Sequence, residues 1–320
     1  MTLTDPLTEL LPMSAAPTSA IERARRAFGA AVHDMLAVPD AALEGAWRWR
    51  ADDPDDADVR YGLYRIHEAL EEAVAAIARG RATNVADRVA PAVPKLATAT
   101  LARWALHGAL APLTAAEIDG DPGGGEWSVR QTLGHVITSQ RSYGWTSAWF
   151  LSRAGTADAG KKVPDGALPD LDEDAEGIGS PAEIRARLDG LLDAAAERFG
   201  GLDDDALAVP GRWSGLPVTI DFRLGRLGSH IREHTIQVDK TLVMIRRPLT
   251  EVERLVRLAS ESFGRLEATV FARPAADVER AFPDGSSAAS IVEAGAVETA
   301  RLARSVREAV GAWPARPESR

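Results

Sequence analysis

The sequence predicts an all-α protein, and three observations carry that expectation. Apolar residues in nearly every patterned segment recur at the 3.6-residue helical period, and alternating β-branched runs are absent. Ala, Leu, Arg and Glu dominate these segments, which favours helix over strand. Three segments open on a Ser or Thr followed three residues later by Gln or Glu, the reciprocal capping arrangement of a helix start: Ser128 with Gln131, Ser180 with Glu183, and Thr250 with Glu253.

Eight main helices follow in order. The first runs from about Thr18 to Ala37 and ends at the Pro39-Asp40 turn. The second spans about Asp58 to Arg79, after the acidic loop ADDPDDAD, with Leu63, Ile66, Leu70 and Val74 as its apolar stripe. The third runs from about Pro94 to Ala111. The fourth is capped by Ser128 and continues to about Arg153. A Gly-, Asp- and Pro-rich segment from Ala154 to Gly179 reads as a long, mobile connection across the end of a bundle.

The fifth helix has Ser180 as its cap and Pro181 at its first position, and ends near Phe199 to Gly201. The sixth begins after Pro217 and stops at about Ile245, before Pro248. Its inward residues are expected to include Leu224, Leu227, His230 or Ile231, His234, Val238 and Leu242. The seventh starts at Thr250, and the eighth spans about Ser287 to Val310. One weak echo links Asp58–Leu70 to Ser128–Gln140: Val59-Arg60 aligns with Val129-Arg130 and Leu63 with Leu133, while Arg65 stands where the second copy has His135.

The 320 residues suggest about two domains and suffice to bury a core without staples, so a metal site here would serve chemistry rather than folding. A net charge of −10 and a pI of about 5.2 repel phosphate backbones and anionic lipid, so nucleic acid and membrane are poor partners. The expected partner is a small molecule; a homodimer is admitted. With no cysteine, disulfides, Cys-ligated zinc and a protein thiol nucleophile are excluded. The first twenty residues show no basic segment leading into an apolar run, which fits a cytoplasmic location.

The chemistry-bearing stretch is GSHIREHTIQ, residues 228–237. Residues four apart on a helix stand one above the other, about 5–6 Å apart at Cβ, so His230 and His234 can face one ion. A tight site needs a third ligand, and His135, flanked by Leu133, Val136 and Ile137, is the best candidate. The 95 residues between His135 and His230 leave room for the chain to bring the two helices together. His107 reads as a bundle histidine, and His33 and His67 lack partners at ligand spacing.

EWSVRQTLGHV followed much later by HIREHTIQ resembles the DinB-like family of four-helix bundles over about Pro94 to Pro248. The positions that carry the resemblance are Trp127, Ser128, His135, His230 and His234. It implies a bundle over residues 93–248, with an N-terminal hairpin (1–92) and C-terminal helices (249–320) that either flank it or pack together as a second, degenerate bundle. It implies a divalent metal, zinc, nickel or iron, on the three histidines. It also implies chemistry with a low-molecular-weight thiol cosubstrate of the mycothiol or bacillithiol type, as in the family's S-transferases and its mycothiol-dependent isomerase.

Around this trio, Glu233 is a candidate catalytic proton acceptor, or else a solvated glutamate paired with Arg226 or Arg232. Gln237, one turn past His234, and Ser139 with Thr138, one turn past His135, are candidate pocket groups. Trp127 reads as a helix-start staple. Two rivals stand beside this reading. HIREH also fits His-x-x-Glu-His, a zinc-peptidase pattern with Glu233 as base and Glu251, Glu253 or Glu261 as third ligand. The other rival is a non-enzymatic helical binding or regulatory protein.

Overall fold

The computed structural model describes residues 19–50, 52, 55–83 and 89–311. The expected start of the first helix at Thr18 and the N-terminal segment before it lie outside the described residues. Helices dominate: α1 (Ser19–Leu36), α2 (Val59–Ala82), α3 (Ala92–Leu110), α4 (Ala115–Ile118), α5 (Val129–Ser152), α6 (Glu173–Gly177), α7 (Pro181–Phe199), α8 (Asp204–Leu207), α9 (Ile220–Met244), α10 (Glu251–Ala268), α11 (Ala275–Val278) and α12 (Ala288–Gly311). Two small antiparallel hairpins interrupt them, β1 (Ala46–Trp47) with β2 (Ala57–Asp58) and β3 (Pro210–Trp213) with β4 (Leu216–Thr219).

The helix starts follow the capping chemistry in the sequence. Ser128, Ser180 and Thr250 each accept from the backbone N–H three residues on, and Gln131, Glu183 and Glu253 each reach back to the cap. Asp58 caps α2 the same way from one side, accepting from the Tyr61 N–H. The α2 stripe buries Leu63, Ile66, Leu70, Ala73 and Ile77, whereas the expected Val74 is only partly buried. A 3.6-residue repeat carried through Leu70 reaches 73 and 77, so Val74 falls at the edge of the buried face.

The helices form two cores. In the first, α9 packs on α3 and α5, and α7 packs on α3 and α5, so α3–α9–α5–α7 form a ring around Leu96, Leu133, Leu188 and Leu227. In the second, α12 packs on α1 and α2, and α10 packs on α2 and α1, around Phe28, Leu63, Phe263 and Val292. The N-terminal pair and the C-terminal pair therefore share one core, and α10 packs against α3 to join the two.

Ionic side chains from four helices meet at that junction. Glu267 and Arg103 are fully buried, and Arg103 Nη2 donates to Glu267 Oε1 at 2.8 Å. Arg25, Thr100 and the Trp104 indole also donate to Glu267. Asp193 accepts from Arg25 at 2.6 Å and Arg103 at 2.9 Å. Burial alone would raise the Glu267 pKa; Arg103 and Arg25 outweigh it and hold the carboxyl below its ordinary range.

Two further features differ from the expectation. The sixth predicted helix starts at Ile220, because Pro217 belongs to β4 and Thr219 is the cap. The hairpin turns at Ser214 and Gly215, both at positive φ (48° and 82°). This backbone suits a tight two-residue hairpin, and Ser-Gly was its sequence signal. The segment Ala154–Gly179 is not a free connection along its length, because its end carries α6, docked on α5. Arg130 donates to the carbonyls of Gly177 and Gly179, and Arg141 pairs with Glu176 at 2.7 Å.

Candidate metal centre

Two helices present the site. On α9, Ile220, Leu224, Leu227, Ile231, Val238 and Leu242 are buried, which fixes the helix rotation. That rotation turns His230 inward at 5% exposure and leaves His234 half-buried one turn on. On α5, Leu133, Val136 and Ile137 are buried and His135 is half-buried between them.

The three imidazoles converge. Ring centroids lie 5.2 Å apart for His135 and His230, 4.8 Å for His135 and His234, and 4.3 Å for His230 and His234. One ligand nitrogen from each ring lies within 4.8 Å of the others. Glu173 Oε1 sits 2.8 Å from His135 Nδ1, and Gln237 Oε1 sits 2.7 Å from His234 Nδ1. A carboxylate only accepts, so His135 donates through Nδ1 and keeps its Nε2 lone pair. The same geometry at Gln237 leaves the His234 Nε2 lone pair free. Outer acceptors of this kind orient and enrich metal-ligating imidazoles.

Two of the rings, those of His230 and His234, are also held neutral. Burial, then His234 and His135, push the His230 pKa down to about 3. Burial likewise lowers His234, with Gln237 opposing. Neutral imidazole is the ligating form. The three residues thus fit a divalent ion by their convergence, with outer hydrogen bonds at His135 and His234 and lowered pKa values at His230 and His234.

Glu173 lies on α6, 38 residues from His135, in an acidic loop with no helical spacing to the histidines, so sequence reasoning missed it. Its approach depends on Gly134, where a Cβ would stand 2.3 Å from the Glu173 carbonyl oxygen. Tyr143 was also missed. It lies two turns past His135 on α5, a face relationship legible in the sequence, and its ring meets His230 edge-on at 5.5 Å. Trp127 does more than staple the helix start, for its ring lies 5.0 Å from that of His135.

Glu233 forms a two-pronged ion pair with Arg226, at 2.7 and 3.0 Å, on the more exposed side of α9. The Arg226 hydrogen bond lowers the Glu233 pKa, which makes it a weak base. Ser139 is half-buried one turn past His135 and makes no hydrogen bond to a described residue. The Thr138 hydroxyl is buried and unpartnered. Arg226 stacks 5.2 Å over Trp213 of β3, and Arg223, buried beside Ser147 and Phe150, is pushed down to about 10 by burial.

The remaining histidines stand elsewhere: His67 bonds to Ser262 and His107 to Asp189. Of the carboxylates considered as a third ligand, Glu251 pairs with Arg60 and Glu253 with Arg247, while Glu261 is exposed. Among the described residues, the grouping able to hold a metal is His135, His230 and His234. No described helix is long and apolar enough to cross a membrane.

A family model described as the DinB superfamily matches residues 20–238. The match begins well before Pro94 and takes in α1 and α2 as well as the histidine-bearing helices. No match was found among curated proteins or among solved structures.

Proposed function

The chain belongs to the DinB superfamily, and on that premise we propose that it is a metal-dependent thiol S-transferase whose divalent ion is held by His135, His230 and His234. The convergence of three imidazoles, two of them held through Nδ1 by Glu173 and Gln237, is the observation that carries this reading. Zinc, nickel and iron all suit imidazole ligands. A divalent ion with an open position deprotonates a thiol that reaches it.

The chain's own residues do the rest. Gln237 fixes the His234 tautomer and Glu173 that of His135. Glu233 holds Arg226 in place instead of moving a proton, since its carboxylate is already committed to the guanidinium. Arg226, paired with Glu233, and Tyr143 stand beside His230 and form one wall of the space next to the histidines. Ser139, with an unspent hydroxyl on the His135 face, is a contact for the thiol cosubstrate. The thiol comes from outside, because the chain has no cysteine. A low-molecular-weight thiol of the mycothiol or bacillithiol type fits, as does a reducing cytoplasm.

In the transfer, the thiolate sulfur attacks an electrophilic carbon, a C–S bond forms, the bond to the leaving group breaks, and the thiol proton passes to solvent. The test uses protein purified without a histidine tag. Metal content is measured, and S-aryl product is followed with each thiol and 1-chloro-2,4-dinitrobenzene. Stoichiometric metal and a rate abolished by chelator support the proposal. Metal-loaded protein no faster than buffer with either thiol overturns the transferase assignment, and protein that takes up no divalent metal overturns the whole reading.

A further inference from the structure

A cavity of about 420 Å³ opens at the junction of the two bundles, between α1, α3, α7 and α10. None of the three site histidines lines it. Its size falls within the range of small-molecule sites. The floor is aromatic: Phe28 is fully buried and meets Trp104 edge-on at 5.5 Å. The mouth lies at Gly29, His33 and Ala182, which are exposed.

The polar groups are unevenly spent. Asp189 accepts from His107 Nε2 at 2.8 Å and faces Arg103 at 3.7 Å, so its charge is already matched. His107 is 8% exposed, and its Nδ1 has no partner. Arg185 lines the wall half-buried and makes no hydrogen bond or ion pair with any described residue. Its one opposing charge is Asp189, one turn on, which is engaged with His107. Burial lowers the Arg185 pKa, the mark of a cation that has lost water without gaining a partner. An uncommitted guanidinium beside an aromatic floor is complementary to a flat apolar body bearing one carboxylate.

We propose that this junction cavity is a binding site for a small aromatic carboxylate, paired with Arg185 and seated on Phe28 and Trp104. The site is independent of the metal reading, and it bridges helices of both bundles, so its ligand bears on how they hold together.

Binding of 2-naphthoate and of neutral 2-naphthamide is measured by calorimetry on the full chain, with histidine ring NMR locating the ligand. The expected result is saturable 2-naphthoate binding that shifts the His107 and His33 signals, with the amide weaker by about tenfold or more. The R185Q variant is expected to weaken the acid by a similar factor and leave the amide unchanged. A Cβ at Gly29 meets nothing within 4 Å, so a Gly29→Leu side chain fits and obstructs the mouth, and binding is lost. The H230A variant binds the acid as well as the parent does. Equal affinity for acid and amide, no saturable binding up to about 1 mM, insensitivity to R185Q, or shifts confined to His135, His230 and His234 would each overturn the proposal.

Discussion

His234 Nε2 lies 3.1 Å from His230 Nε2. The His234 nitrogen carries a lone pair, because its Nδ1 proton goes to Gln237. Without a cation, the contact is stable only if His230 donates through Nε2, which accounts for the partnerless His230 Nδ1. A bound ion would replace that proton and move it to Nδ1. The pair is therefore a hydrogen bond in one state and two ligands in the other, with little change in ring position.

The first prediction tests that duality. H135A, H230A and H234A are each expected to lose stoichiometric divalent metal, measured by mass spectrometry on tag-free protein. If H135A retains full metal, the third ligand is not His135 and the peptidase pattern regains its standing.

Glu173 supplies the second. E173A removes the acceptor from His135 Nδ1 and frees the ring to rotate. Metal affinity is expected to fall about 10- to 100-fold in competition with a chelating dye. The Glu173 side chain is about half exposed, so helicity and melting should stay near the parent values. E173Q, which keeps an acceptor oxygen, is expected to lie between the two. Equal affinity in all three proteins would deny Glu173 its orienting role.

How much of this was legible in the sequence follows from which forces are local. Caps and apolar stripes act within a few residues, so Ser128, Ser180 and Thr250 announced their helices. His230 and His234 share one helix face, and the apolar neighbours Leu133, Val136 and Ile137 singled out His135, a choice that the resemblance around Trp127-Ser128 reinforced. Glu173 was silent because its relation to His135 depends on where the loop docks, and docking depends on a missing Cβ at Gly134 and on Arg130 and Arg141. The β3–β4 hairpin was readable from Ser214-Gly215 but was hidden by the surrounding helical composition. The junction cluster was invisible, since Arg25, Arg103, Asp193 and Glu267 meet only after both bundles form.

That cluster yields the third prediction. Asp193 and Glu267 have folded pKa values below their ordinary 3.8 and 4.5. A depressed carboxyl contributes stability that is fully present above those ordinary values. It is lost as the pH falls below them and through the lower folded values. E267Q leaves Arg103 buried without its full counter-charge and is expected to cost roughly 3–5 kcal/mol in urea unfolding at neutral pH. Its stability should also fall less steeply with acid than the parent's. A variant with the parent's acid limb would place the titration elsewhere.

The last prediction joins backbone to chemistry. At Gly134 a Cβ would stand 2.3 Å from the Glu173 carbonyl oxygen and 3.2 Å from the Gly177 nitrogen, both backbone atoms that cannot yield without moving α6. Alanine is the better helix former, so in an open position the exchange stabilises by about 0.4–1 kcal/mol. Gly190, inside α7 with nothing within 4 Å of its Cβ, is such a position and serves as the control. G190A is expected to raise the melting temperature and leave metal affinity unchanged. G134A is expected to lift α6 from α5, speed proteolysis between residues 154 and 179, and weaken metal binding as far as E173A does. Combining G134A with E173A should then weaken it little further, because both remove the same hydrogen bond to His135. If the double variant instead shows the sum of the two losses, Gly134 acts on the histidines by a route other than Glu173.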